Sequence, residues 1–335
     1  MIRVGLAGFG LAGSVFHAPL IRACERMQLS AVLTSRDIAG RVGSVAELID
    51  AADLVVVATP NTTHFDIAAE ALKAGKHVIV DKPFTVTLEQ GDELMALAAA
   101  QERVLTVFQN RRWDGDFLTV RKILPELGDI ALFEAHWDRF RPEIRNGWRE
   151  VPEPGGGLLS DLGPHMIDQA VMLFGMPDAI SADVLTQRSG ALVDDYFDLR
   201  LHYGARRVCL RSSSLIGEPR PRFSIHGSGG SFVKHGLDPQ EAQLKSGMVP
   251  GDPELGRDLR KGVFTRPDGS AEPVPTERGH YLAFYDAVAD AILDGAAPPV
   301  PAEEARAGLL LIDLARRASE QGRRLAVPGS SSTAG

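Results

Sequence analysis

The sequence predicts an α/β protein of two domains. An N-terminal parallel sheet wound with helices comes first, and a C-terminal α+β domain with an open, mostly antiparallel sheet follows. Three observations predict this. The chain has 335 residues, more than one hydrophobic core usually serves. Residues 2–107 alternate short β-rich runs with helical patterns. Beyond about residue 120 the β-rich runs follow one another through turns instead of helices.

Taken in order, the first runs are IRVGLAG, LSAVLT, DLVVVAT, KHVIV and RVLTV, separated by segments rich in Ala, Leu and Glu. Such alternation is the pattern of βαβ units. The helix expected after Asn61 carries Ile67, Ala68, Ala71 and Leu72 at helical spacing and stops at Gly75. In the second half ALFEAHWDRFRP, SADVLTQR, DYFDLRLHY, RRVCLRSSS and RFSIHGSGGSFVKHG read as strands. Residues 238–278, dense in Pro, Gly and charge, read as a long surface excursion. Two late helices, around 281–292 and 302–319, close the fold and are free to pack back on the first domain. The expected boundaries are therefore 1–120 and 121–327, with 328–335 as a disordered tail.

Composition narrows the function class. Hydrophobic residues at 44% and charged residues at 24% are those of an average globular protein, and aromatics at 6% are too few for base-stacking platforms. A net charge of −8 disfavours binding to nucleic acid or to an anionic membrane. No stretch approaches the roughly 20 apolar residues that span a bilayer. The two cysteines, Cys24 and Cys209, lack the close partners of a disulfide framework or a metal site. A reducing cytoplasm, no metal and a small-molecule substrate are the expectation.

The glycine loop GFGLAG lies between the first strand and the first helix. Gly8 makes the tight turn, Gly10 lets the backbone approach a pyrophosphate and Gly13 lets the helix pack on the strand, while Leu11 and Ala12 open the helix N-terminus. This context makes the loop a Rossmann dinucleotide site. Where an NAD site presents a carboxylate to the ribose 2′-OH, this chain has Thr34, Ser35 and Arg36. A hydroxyl and a guanidinium suit a 2′-phosphate, so NADP(H) is favoured. Asp37, one residue on, leaves NAD(H) open.

Lys82 follows the strand KHVIV, at the sheet edge where ligands bind. In GGGLLSDLGPHMIDQ the helix is expected to begin near Asp161, with Pro164 in its first turn. Asp161, His165 and Asp168 then share one face, apart from an apolar stripe of Met166, Ile167, Ala170, Val171 and Phe174.

The chain resembles the Gfo/Idh/MocA oxidoreductases over essentially its whole length. The residues that carry the resemblance are GFGLAG, ATPNTTH at 58–64, DKP at 81–83 and GGGLLSDLGPH at 155–165. VDKPFTVTL, FQNRRWDGDFLT, WDRFRP and VKHGLDPQE add similarity to the subgroup of NADP-dependent scyllo-inositol dehydrogenases. The resemblance implies a substrate held between the domains over the nicotinamide, and a homodimer or homotetramer formed through the C-terminal sheet. It also implies Lys82, Asp161 and His165 as the catalytic set. Thr59, Pro60, Asn61, His64, Asp81, Lys82 and Asn110 are expected around the cofactor, and Trp113, Arg139 and Asp168 around the substrate. Asp81 stands where the family more often has Glu.

The implied chemistry interconverts a secondary alcohol and a ketone of a cyclic polyol or sugar. His165 is the candidate acid/base, oriented by Asp161, and Lys82 polarises the oxygen; the lysine taking the proton itself remains an alternative. Oxidation of an aldose at its anomeric carbon is a second reading. A nicotinamide-binding regulator without turnover is a third, of another class, and the presence of all three catalytic candidates disfavours it.

Overall fold

The computed structural model describes residues 1–145 and 147–329. The expected disordered tail therefore lies, from residue 330 on, outside the described residues. The chain divides into two compact units. The first comprises 1–114, 239–256 and 279–309, and the second 115–238, 257–278 and the chain from 310 on.

Strands β1 (Ile2–Ala7), β2 (Met27–Leu33), β3 (Arg41–Val42), β4 (Leu54–Val57), β5 (His77–Asp81) and β6 (Leu105–Phe108) build the first sheet. Its order is β3-β2-β1-β4-β5-β6 and every pairing is parallel. Parallel sheets are covered on both faces, which is why β4 reads LVVV with all four residues buried. The strand order reverses between β1 and β4, and ligands of such sheets bind at that switch point, beyond the carboxyl ends of the strands.

A π-helical stretch, Ala12–His17, leads from the glycine loop into α1 (Ala18–Ala23). Next come α2 (Val45–Asp50), α3 (His64–Lys73) and α4 (Leu88–Ala100). The hydroxyls of Ser44 and Thr87 accept from the amides of Glu47 and Gln90, so each opens its helix as an N-cap. Gly75 follows α3 at φ +71°, the stop its spacing predicts.

In the second unit α5 (Gly115–Ile123), β7 (Ile130–His136), α6 (Leu158–Phe174), β8 (Ala179–Leu185), β9 (Tyr196–Tyr203), β10 (Arg206–Ser213), β11 (Phe223–Gly227) and β12 (Gly230–Lys234) follow in chain order. The excursion expected over 238–278 instead holds a short helix, α7 (Gln240–Lys245), and two strands, β13 (Gly262–Thr265) and β14 (Ala271–Val274). They were illegible because Pro, Gly and charge mask runs of four residues. Then come α8 (Leu282–Leu293), α9 (Ala302–Gln321) and β15 (Leu325–Ala326).

The second sheet runs β14-β13-β12-β11-β7-β10-β9-β8-β15. All its pairings are antiparallel except β10 with β7. Alternation sends Phe197, Leu199 and Leu201 of β9 with Val208 and Leu210 of β10 into the core. Most intervening residues are polar or charged, and Arg211 pairs with both Asp198 and Glu134.

The second domain was expected over 121–327 with its late helices free to pack back on the first. Residues 279–309 do so, with Tyr281, Phe284, Tyr285 and Val288 joining the core of β1, β4 and β5, and residues 239–256 belong to the first unit as well. No helix among the described residues is long and apolar enough to cross a membrane.

Candidate active site

The first unit presents the cofactor loop as a close backbone crossing. Gly8 sits at φ +96°, and a Cβ there would lie 2.4 Å from the Ala58 carbonyl oxygen at the end of β4. A Cβ on Gly13 would lie 2.1 Å from the Gly8 oxygen. Both glycines are therefore required by the packing of β1, β4 and the helix start. Gly10 differs, because a Cβ there would meet nothing within 4 Å. Its backbone borders open space, as a loop that receives a pyrophosphate requires. Leu11, half-exposed, and Ala12 follow it at the start of the helical run.

Thr34, Ser35 and Arg36 come directly after β2. The Arg36 amide donates to Thr34 Oγ1 at 3.2 Å, and its guanidinium lies 6.0 Å from the Phe9 ring in the glycine loop. Arg41, which sequence reasoning missed, donates from Nε to the Thr34 carbonyl at 3.1 Å. A two-residue strand pairing brings it there, and no run of residues announces so short a strand. Two guanidiniums thus flank this strand end. Asp37 is exposed beside them.

After β4, Thr59 and Pro60 lead into a 3₁₀ turn at Asn61–Thr63. Thr63 Oγ1 closes the loop on Thr59 Oγ1 and the Pro60 carbonyl, each at 2.7 Å. His64 is buried; its Nδ1 lies 2.9 Å from the Pro83 carbonyl and its Nε2 3.0 Å from the Thr59 carbonyl. Both ring nitrogens face backbone, so His64 ties the loop after β4 to the loop after β5 instead of offering a nitrogen to the cofactor.

Asp81 ends β5 and its Oδ1 accepts from the Lys82 amide at 2.8 Å. Burial works to raise the Asp81 carboxyl, but His17, Lys82 and His64 outweigh it and hold the group below its ordinary value. Asn110 is buried at the start of a turn after β6. Trp113, expected at the substrate, is partly buried and packs edge-on against Phe284 at 5.6 Å. Arg111 and its neighbours lock this turn, since Arg111 donates to Tyr281 Oη at 2.7 Å and pairs with Glu241.

The second unit carries the remaining candidates on α6. The helix begins at Leu158, three residues before the expected start, so Pro164 stands inside it and not in the first turn. The missed signal is distant in sequence: Asp194 Oδ2 accepts from the Leu159 amide at 2.6 Å and its carbonyl from the Leu158 amide at 2.8 Å. Asp194 thereby caps the helix from a distant loop. Gly157 at φ +91° leaves room for it, since a Cβ would lie 2.3 Å from Asp194 Oδ1.

Asp161, His165 and Asp168 share one face, as their spacing predicts, yet all three are buried. Asp161 is held at both oxygens, by Arg139 Nη1 at 3.2 Å and by Arg149 Nε at 3.1 Å. Arg139, expected to line the substrate, is therefore also the partner of a catalytic candidate. His165 stacks on Trp137 with ring centroids 6.2 Å apart. Behind that indole lies the buried Arg222, 5.0 Å from the Trp137 ring, with Nη2 donating to Gln169 at 2.7 Å.

Comparison with known proteins decides the family. Residues 2–109 match the description "Oxidoreductase family, NAD-binding Rossmann fold" of the Gfo/Idh/MocA family, and residues 122–327 match its "C-terminal alpha/beta domain". The chain belongs to the Gfo/Idh/MocA oxidoreductases. Among its relatives is YdgJ, an uncharacterised oxidoreductase of Escherichia coli, 46% identical over 93% of this chain and 95% of that protein. Another is the scyllo-inositol 2-dehydrogenase (NADP(+)) IolW of Bacillus subtilis, 40% identical over 97% of this chain and 95% of that one. The solved structure of a Bacillus cereus oxidoreductase superposes with a TM-score of 0.89 at 32% identity, over 98% of this chain and 99% of the other.

As a Gfo/Idh/MocA member the chain is an oxidoreductase with a nicotinamide-binding Rossmann domain. The open backbone at Gly10 and the two guanidiniums after β2 fit such a dinucleotide. Lys82 stands in the first unit, and Asp161, His165 and Asp168 in the second.

Proposed function

We propose that this enzyme is an NADP(H)-dependent oxidoreductase that interconverts a secondary alcohol and a ketone of a cyclic polyol or sugar, of the scyllo-inositol and inosose kind. The observation that carries the cofactor choice is the strand end after β2, where Arg36 and Arg41 gather around Thr34. Two guanidiniums suit a 2′-phosphate, whereas an NAD site presents a carboxylate to a ribose hydroxyl. The substrate class is supported by the 40% identity to a relative described as scyllo-inositol 2-dehydrogenase.

The bound nicotinamide supplies or accepts the hydride. The protein's part is proton transfer and charge. We assign Lys82 to the substrate oxygen, where an ammonium stabilises alkoxide character, and His165 to the proton. Asp161, fixed by Arg139 and Arg149, keeps a carboxylate one helical turn from His165.

The test is a screen of inositols, inososes and aldoses with both cofactors, run on the wild type and on Arg36→Ala. Turnover of a cyclic polyol with NADP(H) is expected. The substitution is expected to raise the KM for NADPH about 10- to 100-fold and to change NADH use little, the loss of a charge-assisted contact. An Arg36→Ala enzyme with unchanged NADPH kinetics would sink the cofactor assignment, and turnover confined to aldoses would replace the substrate.

A further inference from the structure

A polar chain lies next to the strand end that carries Lys82. His17, the last residue of the π-helical stretch, is fully buried and packs on the Phe108 ring at 4.4 Å. Its Nδ1 lies 2.6 Å from Tyr285 Oη. Its Nε2 faces Asp81 Oδ2 at 3.7 Å, longer than a hydrogen bond but within reach of a charge–dipole attraction. The other Asp81 oxygen holds the Lys82 backbone amide.

The order of these atoms assigns the protons. Burial, with Asp81 and Cys24 nearby, pushes the Tyr285 phenol well above its ordinary value, so it stays an O–H donor. The acceptor in its reach is His17 Nδ1. A ring nitrogen that accepts leaves the hydrogen on the other, so Nε2–H points at Asp81. A buried side chain whose only task was packing would not need two polar ends. The aspartate is also the short acid at this position, one methylene closer to the backbone than glutamate.

We propose that His17 is a positioning residue for Lys82. Tyr285 fixes its tautomer, its Nε2–H is directed at the Asp81 carboxylate and favours its orientation, and Asp81 in turn holds the backbone amide of the lysine where it leaves β5. The helix that follows the glycine loop is thereby tied to the end of the strand that carries a catalytic candidate. The proposal rests on the assignment of Lys82 to the chemistry.

The experiment uses Tyr285→Phe, which removes one hydroxyl and keeps the buried ring, together with Asp81→Asn and the double variant. Two readouts are taken: steady-state kcat and KM with the best polyol from the screen, and hydrogen exchange at the Lys82 amide. In Tyr285→Phe we expect kcat to fall about 10-fold with the KM for NADPH within about 2-fold, as for a displaced catalytic group. Lys82 amide exchange should rise in each single variant, and the double variant should lose no more than Asp81→Asn alone. Losses that multiply in the double variant, or a Tyr285→Phe enzyme with unchanged kcat and unchanged Lys82 exchange, overturn the proposal. If no polyol is turned over, the functional reading fails, while Lys82 exchange in Tyr285→Phe still decides whether the chain positions the lysine.

Discussion

At the scale of single residues, the sequence named groups and the structure named their partners. Asp161 was expected to orient His165, and the structure adds Arg139 and Arg149 at its two oxygens. His64 was expected at the cofactor, and both its nitrogens serve two loops instead. Partners 5 to 22 residues away, brought close by turns between elements, leave no periodic pattern, so such roles cannot be read along the chain. Glu241 shows the same and makes a prediction. Burial alone would raise its carboxyl, but the charges of Arg111 and Lys245 prevail and hold it at about 2, against an ordinary 4.5. Because the folded value is the lower one, the stabilisation is complete above about pH 4.5 and is lost as pH falls toward 2. Urea unfolding of the wild type and Glu241→Gln should therefore differ most near pH 6 and converge by pH 2 to 3. A stability difference that is flat over this range would refute the pairing.

Among the elements, the periodic ones were legible and the short ones were not. All five strands of the first βαβ series appear where apolar runs placed them, because a strand covered on both faces is apolar over most of its length. The two-residue β3 and the four-residue β13 and β14 carry no such signal. The start of α6 was displaced because its cap comes from Asp194, and a helix N-terminus accepts any suitably placed oxygen. The glycine loop makes a prediction that separates binding from folding. Gly10→Ala meets no atom within 4 Å, so its stability should stay within about 0.5 kcal/mol of wild type while NADPH affinity drops about 10-fold or more. Gly13→Ala pushes a methyl to 2.1 Å from the Gly8 oxygen and should cost about 3 kcal/mol or more. Thermal melts and NADPH fluorescence titrations check both. Equal stability losses in the two variants would show that Gly10 serves packing.

For the molecule as a whole, the first unit is not a contiguous stretch of chain. Tyr281, Phe284, Tyr285, Val288 and Val300 are fully or almost fully buried in its core. At about 2 kcal/mol each, such side chains together supply about 10 kcal/mol, comparable to the whole stability of a domain. A fragment of residues 1–120, the domain that composition alone suggests, should therefore fail to fold. Circular dichroism and a cooperative melt test this, and a fragment that melts cooperatively and binds NADPH would contradict the division.

By itself the sequence determined the α/β class, the parallel series and the glycine loop, which rest on local physics, periodicity and turn chemistry; its resemblance to the Gfo/Idh/MocA family pointed to Lys82, Asp161 and His165. Only the tertiary structure decided that residues 279–309 complete the first core, that Asp194 caps α6, that Arg41 joins Arg36, and that Tyr285, His17 and Asp81 line up beside Lys82. The physical reason is that packing partners and hydrogen-bond partners are chosen by proximity in the folded chain, which sequence separations of up to 268 residues do not reveal.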